Sequence, residues 1–133
     1  MPDQPTRKIL LVDDDKFLLD MYAIKFSKAG YEVKTADSTD GGLKLVRDGF
    51  APNVMLIDIV MPGMDGLELV SALRKEKLSP DAVIIMLTNQ GSSDDISRAK
   101  KLNVDGYIVK ATTIPSEVLA EVERIYVSKN KPA

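Results

Sequence analysis

Five short apolar bursts recur along this chain, at residues 9–12, 31–36, 54–57, 82–87 and 107–109, and a segment with helical spacing follows each. Strict alternation of strand and helix leaves few folds open. It predicts an α/β protein with a doubly wound, parallel, five-stranded sheet. Right-handed crossovers then favour the strand order 2-1-3-4-5. The first, third and fourth bursts are almost continuously apolar, as strands covered on both faces are. Tyr31-Glu32-Val33-Lys34-Thr35-Ala36 alternates instead, which suits an edge, and the short fifth burst suits the other edge. With 133 residues there is room for one such domain, with a core over about 8–127 and short tails at 1–7 and 128–133.

Local signals mark the helices. Asp65-Gly66-Leu67-Glu68 reads as a cap with Glu three residues on. Ser38 precedes the second helix, Ser92 with Asp95 the fourth, and Pro115 suits the first turn of the last. The first helix, over 16–28, carries a wide apolar arc of Phe17, Leu18, Met21, Tyr22, Ile24 and Phe26, most of it expected in the core. Pro62-Gly63 fits a type II turn, whereas Gly41-Gly42 has no evident functional reading.

Composition narrows the chemistry. The chain has no Cys and no His, which excludes disulfides, thiolate or imidazole metal sites, catalytic triads and a histidine phosphodonor. A net charge of −2 gives no broad electrostatic reason to bind nucleic acid. No apolar run is long enough to cross a bilayer, and the polar start lacks a signal-peptide core, so a cytoplasmic protein away from the membrane is expected. What remains is carboxylate, lysine and hydroxyl chemistry.

In doubly wound sheets ligands bind beyond the carboxyl ends of the strands. At those ends stand Asp13-Asp14-Asp15, Asp58, Thr88 and Lys110. Crowded carboxylates repel unless a cation joins them, and oxygen donors of this kind select Mg²⁺, with Mn²⁺ as a substitute. A lysine and a hydroxyl beside such a cluster are the parts needed to hold a transferring phosphoryl group, with a carboxylate as nucleophile. An Asp run alone is usually a cap or a solvated turn; the four strand ends together are much harder to ascribe to chance.

The segments Lys8-Ile9-Leu10-Leu11-Val12-Asp13-Asp14-Asp15, Val54-Met55-Leu56-Ile57-Asp58-Ile59-Val60-Met61-Pro62-Gly63-Met64-Asp65-Gly66, Ile85-Met86-Leu87-Thr88 and Gly106-Tyr107-Ile108-Val109-Lys110 resemble the receiver domain of bacterial two-component response regulators. The resemblance spans nearly the whole chain and implies a flavodoxin-like (CheY-like) fold. It implies a phosphoacceptor switch rather than an enzyme, although one that assists its own phosphorylation and dephosphorylation. Asp58 would take the phosphoryl group from a sensor histidine kinase, a phosphotransfer protein or a small acyl phosphate. Asp13, Asp14, Asp58 and the Val60 carbonyl would surround Mg²⁺, Asp14 directly and Asp13 largely through water. Lys110 would pair with the phosphoryl oxygens, Thr88 would donate its hydroxyl, and Tyr107 would rotate inward. Asp15 reads as a loop or cap residue.

Movement after Thr88 would reach a face that includes Ile96, Lys100, Tyr107 and Glu121, expected as the output surface, with phosphorylation-dependent dimerisation open. The chain departs from the family it resembles at Ala111, where Pro is usual, and at Asn89; Val60 and Gln90 stand at positions that tune hydrolysis in that family. A stand-alone regulator and a domain of a longer chain both fit. The main alternative is a haloacid-dehalogenase-like phosphatase with Asp13 as nucleophile, suggested by Asp13-Asp14-Asp15. It lacks an acidic pair after Lys110 and room for a cap. An unphosphorylated interaction module is a further alternative, and the intact residue set argues against it. A flavodoxin-like FMN carrier fits the topology but has acids where a phosphate loop belongs.

Overall fold

A computed structural model describes residues 6–88, 93–110 and 113–130. The elements alternate as β1 (Lys8–Val12), α1 (Lys16–Lys28), β2 (Glu32–Ala36), α2 (Thr39–Arg47), β3 (Val54–Asp58), α3 (Gly66–Lys75), β4 (Val83–Thr88), α4 (Ser93–Lys101), β5 (Gly106–Val109) and α5 (Pro115–Lys129). All pairings are parallel, and the sheet order is β2-β1-β3-β4-β5, as the alternation predicts. The expected edges are edges. Of β2 only Ala36 is buried, whereas every residue of β3 and β4 is.

Strand periodicity divides the core in two. Leu10, Val12, Met55, Ile57, Ile84 and Met86 point to a layer closed by α2, α3 and α4. Ile9, Leu11, Leu56, Ile85, Leu87 and Ile108 point to the layer closed by α1 and α5. With successive side chains on opposite faces, each central strand must be apolar throughout. Gly42 explains itself here: a Cβ would lie 3.1 Å from Val12 Cγ2, so the glycine lets α2 lie close on β1.

The caps follow the sequence signals. Asp15 accepts from Leu18 N, Ser38 from Gly41 N, and Asp65 with Glu68 forms a reciprocal box. Pro115 opens α5, where Glu117 reaches back to Ile114 N at 3.1 Å. Ser92, expected to cap the fourth helix, lies outside the described residues, as do Asn89, Gln90 and Ala111.

The apolar arc of α1 requires a correction. Leu19, Tyr22 and Phe26 are buried, but Phe17 is 76% exposed, Ile24 57% and Met21 38%. Both groups repeat at helical spacing and stand on opposite sides of the helix. One stripe packs on the sheet; the other faces outward. The ordered packing also reaches past residues 8–127 at both ends. Arg7 Nη1 lies 2.5 Å from Glu123 Oε2, and its guanidinium stacks 4.2 Å from the Tyr126 ring. Tyr31 donates to the same Glu123 carboxylate, and burial with that bond pushes its phenol up to about 12. At the far end of α5, Lys129 Nζ sits 3.1 Å from Asp105 Oδ2.

Helices α1 to α4 end alike, with a left-handed residue just after the last turn: Gly30, Gly49, Lys77 and Asn103. Lys77, at φ 56°, is exposed and not glycine. Its side chain opposes that backbone, so Lys77→Gly is expected to stabilise the domain by about 0.5–1 kcal/mol, seen as a higher urea midpoint at unchanged slope.

Candidate functional site

Four chain segments bring polar side chains to one rim of the sheet. Asp13 follows β1, and its amide donates to Ala36 O at 3.2 Å, which fixes the turn away from the strand. Asp58 is the last residue of β3 and Thr88 of β4, and Lys110 directly follows β5. Asp13, Asp58 and Thr88 are the buried polar residues of the described core besides Thr39, at 1%, 3% and 3% exposure. Burial of such groups is costly unless partners compensate. Asp14 is exposed and leans over the same place.

Carboxylate oxygens of Asp13, Asp14 and Asp58 lie within 4.8 Å of one another. Lys110 enters from the side, with Nζ 2.9 Å from Asp13 Oδ2 and 3.2 Å from Asp58 Oδ2. Its bond to Asp58 is a hydrogen bond. Asp13 Oδ2 is buried, and the Lys110 ammonium is its ion-pair partner. Backbone amides hold the other oxygens: Asp15 N donates to Asp13 Oδ1 at 2.9 Å, and Val60 N to Asp58 Oδ1 at 3.3 Å.

Electrostatics follow from that arrangement. Burial pushes the Asp58 carboxyl up to about 6; Lys110 opposes this and Asp13 adds to it. Burial draws the Lys110 ammonium down, but its contacts with Asp13 and Asp58 outweigh that and hold it above the usual lysine value. Three carboxylates against one ammonium leave a cation deficit. A hard divalent cation fits this set: the donors are all carboxylate oxygens, they crowd within 4.8 Å, and one of the three residues is exposed.

The loop after Asp58 is firmly seated. Gly66 N donates to Ile59 O at 2.8 Å and Thr39 Oγ1 to Met64 O at 2.7 Å. Gly63 has φ 74°, as the third position of a type II turn requires. Gly66 lies against the end of β3 itself, since a Cβ there would stand 2.0 Å from Asp58 O. The requirement is invisible in sequence, where this glycine reads as an ordinary first-turn residue. Val60 is 63% exposed and Tyr107 38% exposed.

Residues 9–123 match the family described as the response regulator receiver domain. The chain belongs to that family. The phosphate regulon transcriptional regulatory protein PhoB of Pseudomonas aeruginosa is 33% identical to this receiver domain over 119 residues, covering 90% of the chain and 51% of that protein. Its counterpart in Escherichia coli is 26% identical over the same length and share. The receiver domain therefore spans about half the length of the curated relatives it matches. Among solved structures, a CheY-like receiver domain protein from Methanospirillum hungatei superposes with a TM-score of 0.85 at 30% identity, covering 96% of this chain and 98% of that one. Chemotaxis protein CheY4 of Vibrio cholerae gives 0.84 at 30% identity, over 91% and 99%. Family membership sets aside the haloacid-dehalogenase alternative. Receiver domains are signalling switches of two-component systems, which is the class the strand-end residues suggest.

Two outcomes test the site as described. Gly66→Ala is expected to cost at least about 3 kcal/mol in urea unfolding, because its methyl group meets rigid backbone. The second concerns pH. Asp58 binds its proton more tightly folded than unfolded, so this contribution to stability is full below about pH 4 and is lost as pH rises through about 6. In EDTA, Asp58→Asn is therefore expected to be more stable than wild type above pH 6, with the gap closing toward pH 4 in urea melts. Mg²⁺ should then stabilise the wild type and leave the variant nearly unchanged.

Proposed function

We propose that this receiver domain accepts a phosphoryl group on Asp58 in a Mg²⁺-dependent reaction and so switches an interaction surface. The observation that carries the reading is the buried Asp58 carboxylate joined to Lys110 and crowded by Asp13 and Asp14. In the transfer, an Asp58 oxygen attacks the donor's phosphorus. The bond from phosphorus to the donor nitrogen or oxygen breaks, and the donor leaves with the electron pair. Asp13, Asp14, Asp58 and the Val60 carbonyl would hold the cation, with Mn²⁺ as a substitute, and when bound it offsets charge on the phosphoryl oxygens. Lys110 is already 3.2 Å from Asp58 Oδ2 and would follow the new oxygens. The Thr88 hydroxyl, at the end of the neighbouring strand, would donate to them, with Tyr107 turning inward behind it. Asp15 caps α1 and takes no part.

The donor's histidine is not among these 133 residues, so the donor is a separate domain or protein. A sensor histidine kinase or phosphotransfer protein has to reach the rim. The outward stripe of Phe17, Met21 and Ile24 begins four residues after Asp13 and gives such a partner an apolar surface to dock on. On the output side, the face containing Ile96, Lys100, Tyr107 and Glu121 would carry the signal, to a separate protein, a second copy or a further domain. The described residues contain no helix able to cross a membrane, and we place the reaction in the cytoplasm, without direct nucleic-acid or membrane contact by this domain.

The test is intact-mass analysis after incubation with Mg²⁺ and acetyl phosphate. One phosphoryl adduct is expected on wild type, none on Asp58→Asn, and none in EDTA. An equal adduct on the variant would overturn Asp58 as acceptor. A wild type that stays unmodified would favour an interaction module that works without phosphate.

A further inference from the structure

Helix α4 is the least buried of the helices. Among its described side chains only Ala99 is buried, whereas α3 buries Gly66, Leu67, Leu69, Val70 and Leu73. Two guanidinium groups hold it to α3 instead. Arg74 of α3 donates to Leu102 O at 3.3 Å and Asn103 O at 3.1 Å, just past the end of α4. From within α4, Arg98 Nη2 donates to both carboxylate oxygens of Asp65, at 3.0 and 3.3 Å. Asp95, one turn earlier, flanks the same guanidinium at 3.5 Å.

Asp65 is no ordinary surface acid. It caps α3 and belongs to the reciprocal box with Glu68. The next residue, Gly66, lies against the Asp58 carbonyl. Met64, just before it, is held by Thr39. A side chain fixed at that point cannot shift without disturbing the Asp58 loop. The Arg98–Asp65 pair therefore joins a loosely buried helix to the best-seated part of the acidic rim, by a route that does not pass through Thr88.

We infer that Arg98 and Asp65 form an ionic latch that holds α4 against the Asp58 loop and sets how readily α4 leaves its resting position. The effect on α4 is independent of phosphorylation; the effect on the switch rests on the reading of Asp58 as acceptor. Half-exposed pairs of this kind are weak and screened by salt, which suits a latch that must open.

Two variants test it, each removing one charge and together of opposite sign. Asp65→Asn keeps a capping side chain, so α3 should remain intact. Amide hydrogen exchange over residues 94–101 is expected to run about two- to fivefold faster in Asp65→Asn and in Arg98→Gln than in wild type at low salt, with α3 and β3 unchanged. The double variant should exchange no faster than either single one, and about 1 M NaCl should bring wild type close to the variants. Unchanged exchange over 94–101, or equal acceleration in β3, would overturn the latch. In the same proteins, labelling by acetyl phosphate and Mg²⁺ should be faster in both variants. Opposite changes in the two would mark a plain charge effect and overturn the coupling to Asp58. If wild type takes no phosphoryl group, the acceptor reading fails, while the exchange result still decides the latch.

Discussion

A single partly buried ammonium holds the rim of this sheet together. Lys110 reaches across the end of β4 to touch carboxylates that follow β1 and close β3. Without it, Asp13 and Asp58 would be two acids desolvated side by side, and burial of that kind is among the most costly things a core can contain. With it, the charge is only partly balanced. The remaining deficit suits a hard cation, and burial raises the Asp58 carboxyl to about 6. The rim is held in a state that favours taking up further charge.

The sheet makes that state possible. Fully apolar central strands bury their flanks so completely that the only polar groups they can tolerate are at their carboxyl ends. The topology collects those ends at one place. The opposite end is tied differently, with Arg7, Tyr31, Glu123 and Tyr126 joining the start of β1 to α5. This knot fixes α5 at the end far from the chemistry, while α4 rests on few apolar contacts and two arginines. Stability is thus distributed unevenly, with strands at the firm end and α4 at the loose end.

Much of this was legible in the sequence because it depends on periodicity and on residue type at strand ends. Continuous apolar runs marked the inner strands, alternation marked β2 as an edge, and Asp65 with Glu68 marked the start of α3. The acidic rim was legible because topology, once inferred, dictates which residues meet. What escaped depends on three-dimensional proximity. The arc of α1 is apolar on both sides, so composition could not say that Phe17, Met21 and Ile24 face outward. Gly42 and Gly66 are needed because β1 and the Asp58 carbonyl come close, and Arg98 finds Asp65 only once α3 and α4 lie side by side.

The position of β5 at the edge of the sheet has a consequence for biogenesis. A chain made from its N-terminus presents Asp13 and Asp58 for pairing of β1 with β3 long before residue 110 emerges. The nascent intermediate then carries its two inner carboxylates together with no counter-charge from the chain. Arrival of the last βα unit supplies both the missing edge strand and the missing ammonium in one step. Completion of the sheet and neutralisation of its rim are therefore a single event, and a partly made domain has a physical reason to stay open until its final strand is in place.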